Sequence, residues 1–523
     1  MFAYFILLIA GAINAFCYSN DPISGSLNAP LQILTLSVLA VCTLLAKNKK
    51  MALTYGLTFG FISFVAGIYW IYISVHSYGN LNIFLSTLTL FLFAFYLAIY
   101  YGLACLLIRW LNKEPTLWSI FNFAAVWTIF EWLRGTLFTG FPWNNIAYAH
   151  VESILSGWAP LLGSYGVTFV AAFISACVAI CFIAFLARHI PNIILSLLLI
   201  LGIAIGSTFL CQTSWVTPRQ DSITVRLIQP NSSIENKFSP LTQMQELIET
   251  LNLASRYSAV NKAQVIIFPE TTIPIFQHNV PAIFWRQMID IADYANTTLL
   301  IGAPILTQHQ SAHEYANGII LIDKNTSIDD IYQLHIPHYN KRHLVPFGEY
   351  IPTGFRWFTD ILQIPLGDFT AGAIQQKPFN IQGTLIGANI CYENLFGHEL
   401  IEDIKSGATV LVNISNLAWF GDSTALGQHL NISRMRSLEL GRPMLLATNT
   451  GRTAYIDPKG KVIAALPTAT KYTLEVNVTP YTGETPFIHW GDHLIITLSS
   501  LITLFFIALN LICWHRRVKA EVR

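Results

Sequence analysis

The feature that most constrains this chain is the uneven distribution of its long apolar runs. Crossing the roughly 30 Å hydrocarbon core of a bilayer takes about 20 residues of helix. Apolar runs close to this length lie at residues 1–18, 30–46, 52–74, 83–110, 117–134, 163–187, 192–211 and 489–513. The pattern predicts a polytopic α-helical membrane bundle of about eight spans, interrupted by one long segment of mixed polarity between the last two spans.

Composition agrees with a membrane location. Only 11% of the 523 residues are charged and 53% are hydrophobic, whereas about a quarter of the residues in a soluble domain are charged. The formal net charge is +1, and the chain lacks the clustered Lys and Arg that bind phosphate backbones. We therefore expect a membrane-embedded protein with no nucleic-acid partner.

The positive charges of the short loops predict the orientation, because cytoplasmic loops are enriched in Lys and Arg. If the N-terminus is cytoplasmic, the short outside loops hold only Arg134. The inside loops and the tail then hold Lys47, Lys49, Lys50, Arg109, Lys113, Arg188, Arg516, Arg517, Lys519 and Arg523. This predicts a seven-span bundle (1–211), an extracytoplasmic domain (212–488), and a last span with a basic cytoplasmic tail (489–523).

Strand-like and helical runs alternate within residues 212–488. The strand-like runs are 223–229, 264–270, 297–306, 318–323, 331–337, 384–390, 409–415, 443–450, 453–458 and 472–478. Helical patterns lie between several of them, at 241–260, 282–296 and 427–441. Such alternation is typical of an α/β domain whose sheets are covered by helices.

Residues capable of nucleophilic chemistry follow four of these strands, at the kind of position where sites assemble in α/β folds. They are Glu270; Lys341 with Glu349 eight residues later; Cys391 with Glu393; and Asn416 with Trp419 and Phe420. An acid, a cation and a thiol at strand ends predict a nucleophilic active site.

Cys391 is the only cysteine in the extracytoplasmic segment. The other seven lie in or at the ends of spans, as expected of small packing residues: Cys17, Cys42, Cys105, Cys177, Cys181, Cys211 and Cys513. In an oxidising compartment a single cysteine is either buried and inert or deliberately reactive. Cys391 lies between a strand and the helix-like stretch ENLFGHELIEDIKSG, and a helix N-terminus favours the thiolate. Glu270 is suited to take the thiol proton, and Lys341 to stabilise an oxyanion.

Several motifs resemble a known family. FPE at 268–270, YNKRHLVPFGEYIP and NICYE match the Glu, Lys and Cys motifs of the nitrilase (carbon-nitrogen hydrolase) superfamily. RGTLFTGFPWNN at 134–145, ISNLAWFGD and RMRSLELGRPMLLATNTG are similar to one membrane branch, the bacterial apolipoprotein N-acyltransferases. The resemblance covers nearly the whole chain. It implies a nitrilase-like αββα sandwich for the extracytoplasmic domain and a location in the bacterial cytoplasmic (inner) membrane, with the domain in the periplasm.

The same resemblance implies roles for individual residues. Glu270 is expected to be the general base, Lys341 the oxyanion-stabilising cation and Cys391 the acyl-accepting nucleophile. Supporting or substrate-binding roles are implied for Glu349, Tyr392, Glu393, Trp419, Phe420 and Trp143.

The implied reaction is ping-pong. Cys391 takes an acyl chain from a phospholipid as a thioester, and the α-amino group of a diacylglyceryl-cysteine on an apolipoprotein accepts it. No metal or organic cofactor is implied.

Simpler interpretations stay open for several residues. Glu349 and Glu393 are also consistent with a structural ion-pair network. Trp143 is also consistent with an anchor at the membrane–water interface. Glu131 and Arg134 are consistent with an ion pair at that interface. His335, His338 and His343 lack the spacing of a zinc site. The segment FRWFTDILQIPLGDF (355–369) fits either an arm at the membrane interface or a core strand and turn.

Two other function classes share these features. A membrane-tethered amidase or nitrilase that hydrolyses a soluble carbon-nitrogen substrate would use the same acyl-enzyme. A transporter or receptor with a degenerate hydrolase-like domain is disfavoured by the scarcity of charges within the spans and by the intact Glu, Lys and Cys.

Overall fold

The computed structural model describes residues 1–19, 25–255, 263–309, 312–352 and 369–521. The chain divides into two units. The first consists of Met1–Tyr72, Ile83–Thr213 and His489–Arg523, and the second of Ile73–Asn82 and Ser214–Ile488. The short segment Ile73–Asn82 lies between two apolar helices in sequence, yet it belongs to the second unit.

The first unit is helical. Six of its helices are long and apolar enough to cross a membrane: Gly25–Leu44, Lys49–Gly67, Ile83–Leu111, Ile154–Leu186, Ile190–Gln212 and His493–Cys513. Helices Phe2–Ala15 and Trp118–Thr136 occupy two further predicted spans. The first of these has only 14 residues, and the second carries the charged Glu131 and Arg134. Six candidate spans are therefore present in the described residues, and the number eight stays a prediction.

The ion pair of Glu131 and Arg134 lies inside this helical unit. Their side chains are both 0% exposed, with Arg134 Nη2 2.6 Å from Glu131 Oε2. Arg134 also donates to the carbonyl oxygens of Phe141 and Trp143. The predicted ion pair is therefore present, and both side chains are buried against groups of their own unit.

The second unit contains two six-stranded sheets and one two-stranded ribbon. The strands are β1 (Thr217–Pro218), β2 (Ile223–Gln229), β3 (Val265–Ile267), β4 (Thr298–His309), β5 (Ala312–Ile322), β6 (His338–Asn340), β7 (Phe379–Ile381), β8 (Thr384–Ile390), β9 (Val410–Ser415), β10 (Met444–Thr448), β11 (Ala454–Ile456), β12 (Val462–Ala465), β13 (Tyr472–Val478) and β14 (Tyr481–Thr482). One sheet has the order β13-β2-β3-β4-β5-β6, the other β12-β11-β10-β9-β8-β7, and β1 pairs with β14. The central pairs β2-β3-β4 and β8-β9-β10 are parallel.

The two sheets pack face to face and helices cover their outer faces. The core between the sheets takes side chains from both, including Val225 and Ile267 from one and Ile390 and Val412 from the other. On the outer face of the first sheet lie helices Gln243–Ser255, Ala282–Ala295 and Ile328–Tyr332. On the outer face of the second lie helices Gly397–Lys405 and Ala425–Leu440. The αββα sandwich is thereby confirmed.

Local capping explains one error of the strand assignment. Residues 331–337 were expected to form a strand, but the structure has a short helix, Ile328–Tyr332, and the next strand starts at His338. The hydroxyl of Ser327 accepts a hydrogen bond from the N–H of Asp330, which starts the helix. The short strands β7 and β12 were not expected, because three or four residues carry little periodicity.

Candidate active site

Three strand ends bring together Glu270, Lys341 and Cys391. Glu270 follows β3 and Lys341 follows β6 in one sheet, whereas Cys391 follows β8 in the other. Lys341 Nζ lies 3.6 Å from Glu270 Oε1, and the thiol of Cys391 interacts electrostatically with both. The expected acid, cation and thiol therefore form one cluster where the two sheets meet.

Asn317 fixes two carboxylates in this cluster. Its side-chain amide donates to Glu270 Oε1 at 2.8 Å and to Glu349 Oε1 at 2.7 Å. Glu349 Oε1 also accepts from Lys341 Nζ at 2.8 Å. The second oxygen of Glu270 accepts from the backbone N–H of Asn416 at 2.8 Å. Glu270 is thus held by one donor from each sheet, and its position depends on their packing.

Cys391 occupies a sharp turn. Its φ is 51°, in the left-handed region that costs an L-residue about 1–2 kcal/mol. Asn413 donates to its carbonyl oxygen at 3.3 Å. A short 3₁₀ turn, Cys391–Leu395, follows, and the α-helix begins only at Gly397. The prediction of an α-helix directly after Cys391 is therefore wrong. The 3₁₀ turn instead changes the direction of the chain at the end of β8.

The electrostatics of the cluster keep the thiol protonated at rest. Burial and then the carboxylate of Glu270 raise the pKa of Cys391 well above its ordinary value, and Lys341 only partly opposes them. Burial by itself lowers the pKa of Lys341, but Glu349 and Glu270 outweigh it, so that this pKa is raised and Lys341 stays charged. A cation near Cys391 is therefore not sufficient here to generate a thiolate, and an acceptor for the proton is required when the sulfur attacks.

Glu393 lies at the centre of a separate buried network. Its carboxylate accepts hydrogen bonds from the backbone N–H groups of Ile390 and Arg342 and from the hydroxyl of Tyr339. Arg342 in turn donates twice to Asp403. This arrangement ties the end of β8 to the loop after β6, so it favours the structural alternative for Glu393. Glu349 instead contacts Lys341 and Asn317 directly.

The aromatic residues near the cluster form a half-buried group. Trp419 and Phe420 end the 3₁₀ turn Leu417–Phe420. The ring of Trp419 lies 6.0 Å from Phe238 and 5.5 Å from Tyr78, centroid to centroid. Tyr78 belongs to the segment Ile73–Asn82, and its sequence position in a connection between apolar helices gave no signal of this contact.

The remaining predicted residues lie elsewhere. Tyr392 is buried and its ring contacts His343 and Phe396. Trp143 lies in the helical unit, is only 3% exposed and packs on Trp70 at 4.8 Å between ring centroids. Such burial does not fit an interfacial anchor. Almost all of the 355–369 segment, up to residue 368, lies outside the described residues.

Sequence reasoning missed two residues that shape the cluster, Asn317 and Gly302. A Cβ at Gly302 would lie 2.5 Å from the carbonyl oxygen of Pro269 and 2.9 Å from Cα of Glu270. The signals were present: a glycine inside a strand indicates a close approach of another backbone, and an asparagine beside an apolar strand needs buried partners.

Family models match most of the chain. One for the apolipoprotein N-acyltransferase N-terminal domain matches residues 25–177, and one for carbon-nitrogen hydrolase matches residues 224–487. The apolipoprotein N-acyltransferase of Bordetella bronchiseptica is 41% identical over 519 residues, covering 95% of each chain. The chain belongs to the apolipoprotein N-acyltransferase family.

A second relative agrees with that assignment. The apolipoprotein N-acyltransferase of Ralstonia nicotianae is 39% identical, over 88% of this chain and 86% of the relative. Among solved structures, Saccharomyces cerevisiae Nit3 of the nitrilase superfamily covers 51% of this chain and 93% of its own. Its identity is 16% and its TM-score 0.37. As a member of the apolipoprotein N-acyltransferase family, with several apolar helices, the chain is a multi-pass bacterial membrane protein and an acyltransferase.

Proposed function

We propose that the protein transfers an acyl chain from a phospholipid to the α-amino group of the N-terminal diacylglyceryl-cysteine of apolipoproteins. Family membership supports the reaction class. The observation that carries the mechanism is the cluster of Cys391, Glu270 and Lys341, in which Glu270 acts electrostatically on the thiol and the charged Lys341 lies 3.6 Å from that carboxylate.

In the first half-reaction, Glu270 takes the thiol proton as Sγ of Cys391 attacks an ester carbonyl of the phospholipid. The negative charge that develops on the carbonyl oxygen is stabilised by Lys341. The tetrahedral intermediate then expels the glycerol oxygen, which receives the proton from Glu270. The products are a thioester on Cys391 and a lysophospholipid.

In the second half-reaction, the neutral amine of the acceptor attacks the thioester carbonyl. Glu270 removes the extra proton from the nitrogen as the amide forms, and the thiolate leaves and is reprotonated. Because the pKa of Cys391 is raised, the thiolate is a good leaving group only when a proton donor stands beside it. The same carboxylate is positioned to serve as base and acid in turn.

The location of the protein completes the proposal. We infer the cytoplasmic membrane of a bacterium, with residues 212–488 on the periplasmic side, from the excess of Lys and Arg in the loops expected to be cytoplasmic. Diacylglyceryl acceptors and phospholipids both reside in a bilayer, which gives the apolar helices a role in delivering them. Hydrolysis of a soluble amide gives those helices no comparable role.

Intact-mass spectrometry of the full-length protein in phospholipid micelles tests the proposal. The parent is expected to gain one acyl mass without an acceptor and to lose it when a diacylglyceryl-cysteine peptide is added. Cys391→Ser is expected to form no dischargeable thioester, whereas Cys513→Ser, which changes an exposed cysteine, behaves as the parent. If only water removes the acyl group from the parent protein, the reaction is hydrolysis instead of acyl transfer. If Cys391→Ser gains an acyl group that the peptide removes, Cys391 is not the nucleophile.

A further inference from the structure

The backbone of Cys391 needs support from its surroundings. Its φ of 51° lies in the left-handed region, and a residue other than glycine stays in that conformation only where neighbouring groups hold it there. The same backbone sets the direction of the Cα–Cβ bond, and with it the position of Sγ. Groups that fix this backbone therefore also align the thiol with Glu270 and Lys341.

A chain of buried polar side chains leads from helix Ala425–Leu440 to this backbone. Asn413 donates from Nδ2 to the carbonyl oxygen of Cys391 at 3.3 Å. Oδ1 of Asn413 accepts the hydroxyl hydrogen of Ser415 at 2.6 Å, and Ser415 Oγ lies 3.4 Å from Nε2 of His429. Asn413, Ser415 and His429 are all buried, so bulk solvent does not compete for these hydrogen bonds.

The hydrogens of this chain point in one direction. A serine hydroxyl carries a single hydrogen, and that of Ser415 points to Asn413, so Ser415 Oγ is the acceptor for His429. Burial lowers the pKa of His429 to about 4, and the backbone of Cys391 opposes this only in part. The ring is therefore uncharged at neutral pH and carries its one hydrogen on Nε2. Each member of the chain thus donates to the next, from His429 to Cys391.

Asn389 fixes the orientation of the Asn413 amide. The NH₂ group of Asn389 donates to the carbonyl oxygen of Val412 at 3.0 Å, which leaves its oxygen to face Asn413. Asn413 Nδ2 donates to that oxygen at 2.5 Å. The NH₂ group of Asn413 is therefore held on the side of Cys391, and its oxygen on the side of Ser415.

The same helix supports the rest of the 3₁₀ turn that contains the thiol. Ser433 Oγ accepts from Nδ2 of Asn394 at 2.6 Å, and Arg436 donates to the carbonyl oxygen of Leu395 at 3.2 Å. Together with His429, these two helix residues stand at positions i, i+4 and i+7, which share one face. One face of a buried helix therefore supports the turn along its length.

We propose that His429 is a positioning residue for the nucleophile, which it aligns through Ser415 and Asn413 by holding the carbonyl group of Cys391. The inference rests on Cys391 as the nucleophile of the proposed function. His429 acts on the backbone of Cys391 and not on the acyl donor. Its replacement is therefore expected to slow the attack of Sγ and to leave donor binding unchanged.

The test measures single-turnover acyl loading of Cys391 in the full-length protein by intact-mass spectrometry. The donors are a phospholipid and a 4-nitrophenyl fatty-acid ester. His429→Phe keeps a ring and removes the donor to Ser415. With either donor at saturation we expect its rate constant to fall about 2- to 10-fold, the effect of losing one neutral hydrogen bond. The donor concentration that gives half the maximal rate is expected to stay within about 2-fold of the parent, because donor binding is unaltered.

The fraction of protein that becomes loaded separates alignment from folding. A role in folding alone lowers this fraction and leaves the rate constant of the folded molecules unchanged. His429→Gln keeps an N–H donor for Ser415 and is expected to recover most of the rate constant. His335→Phe makes a matched exchange at an exposed histidine of the same unit and is expected to load as the parent does.

A double-mutant cycle tests the path through Ser415. Ser415→Ala breaks the same chain and is expected to lower the rate constant by a factor similar to that of His429→Phe. The double variant is expected to show no further loss, since the second change removes a contact that the first has already broken.

The inference is overturned if His429→Phe has the rate constant of the parent, or if only its loaded fraction falls. It is also overturned if the two losses multiply in the double variant, because His429 and Ser415 then act independently. If the parent loads from the nitrophenyl ester but not from phospholipid, the donor of the proposed function is wrong, and the ester still tests His429. If neither donor loads Cys391, the assigned nucleophile is wrong and this inference fails with it.

Discussion

The most informative perturbation of the cluster is the replacement of Asn317, because this amide is bonded to Glu270 and Glu349 at once. Asn317→Leu keeps a similar volume and removes both donors. Glu270 retains the N–H of Asn416, and Glu349 retains Lys341 and the N–H of Val345. Neither carboxylate becomes unpaired, but Glu270 loses the bond that aligns it with Cys391.

The expected changes in loading rate and in stability follow from the two lost hydrogen bonds. A hydrogen bond to a charged group contributes about 1.5–3 kcal/mol. The bond to Glu270 acts on the chemistry, so loss of it is expected to slow acyl loading of Cys391 about 10- to 150-fold. The bond to Glu349 acts on folding and is expected to lower the free energy of unfolding by about 1.5–3 kcal/mol.

The substitution Asn317→Asp is expected to make the free energy of unfolding depend on pH. The introduced carboxyl group is buried against two carboxylates, so its folded-state pKa is raised above the unfolded value of about 3.9. The unfolded chain then releases this proton at a lower pH than the folded chain does. Stability therefore falls as pH rises above about 4, by about 1.4 kcal/mol for each unit of upward shift, until the folded-state pKa is passed.

Single-turnover loading followed by mass spectrometry measures the rates, and denaturant unfolding from pH 4 to 8 measures the stabilities. Asn252→Leu changes an exposed helical asparagine of the same unit and serves as the control. The reasoning is refuted if Asn317→Leu loads at the parent rate. It is also refuted if the stability of Asn317→Asp relative to the parent does not decline with rising pH.

Three other predictions follow from the described contacts. Iodoacetamide is expected to alkylate Cys391 more slowly at pH 8 than an exposed cysteine, because burial first and then the carboxylate of Glu270 raise the pKa of the thiol; peptide mapping of the modified protein checks this, and equal rates would count against a raised pKa. Glu393→Gln puts an NH₂ group where backbone N–H donors point and is expected to cost about 3–5 kcal/mol of stability, measured by chemical denaturation; a loss under about 1 kcal/mol would contradict the network. Glu131→Gln leaves Arg134 without its buried partner and is expected to lower the melting temperature in detergent, whereas an unaltered melting temperature would show that the carbonyl oxygens suffice.

The overall architecture was accessible from the sequence because it depends on local patterns. Hydropathy over about 20 residues predicts a membrane helix wherever it occurs in the chain. Short apolar runs likewise predicted β2, β8 and β13 with the observed bounds. Local patterns failed where a cap overrode them, as at Ser327, and where a strand was too short, as at β7.

The sequence by itself determined that an acid, a lysine and a cysteine stand at strand ends, since each follows its own apolar run. Only the tertiary structure decided which groups hold them. Glu270 takes a hydrogen bond from Asn416, 146 residues away, and another from Asn317. These contacts exist only once the two sheets pack together. A one-dimensional pattern records which face of an element is buried but not which partner it meets, because that choice is made by packing between distant segments.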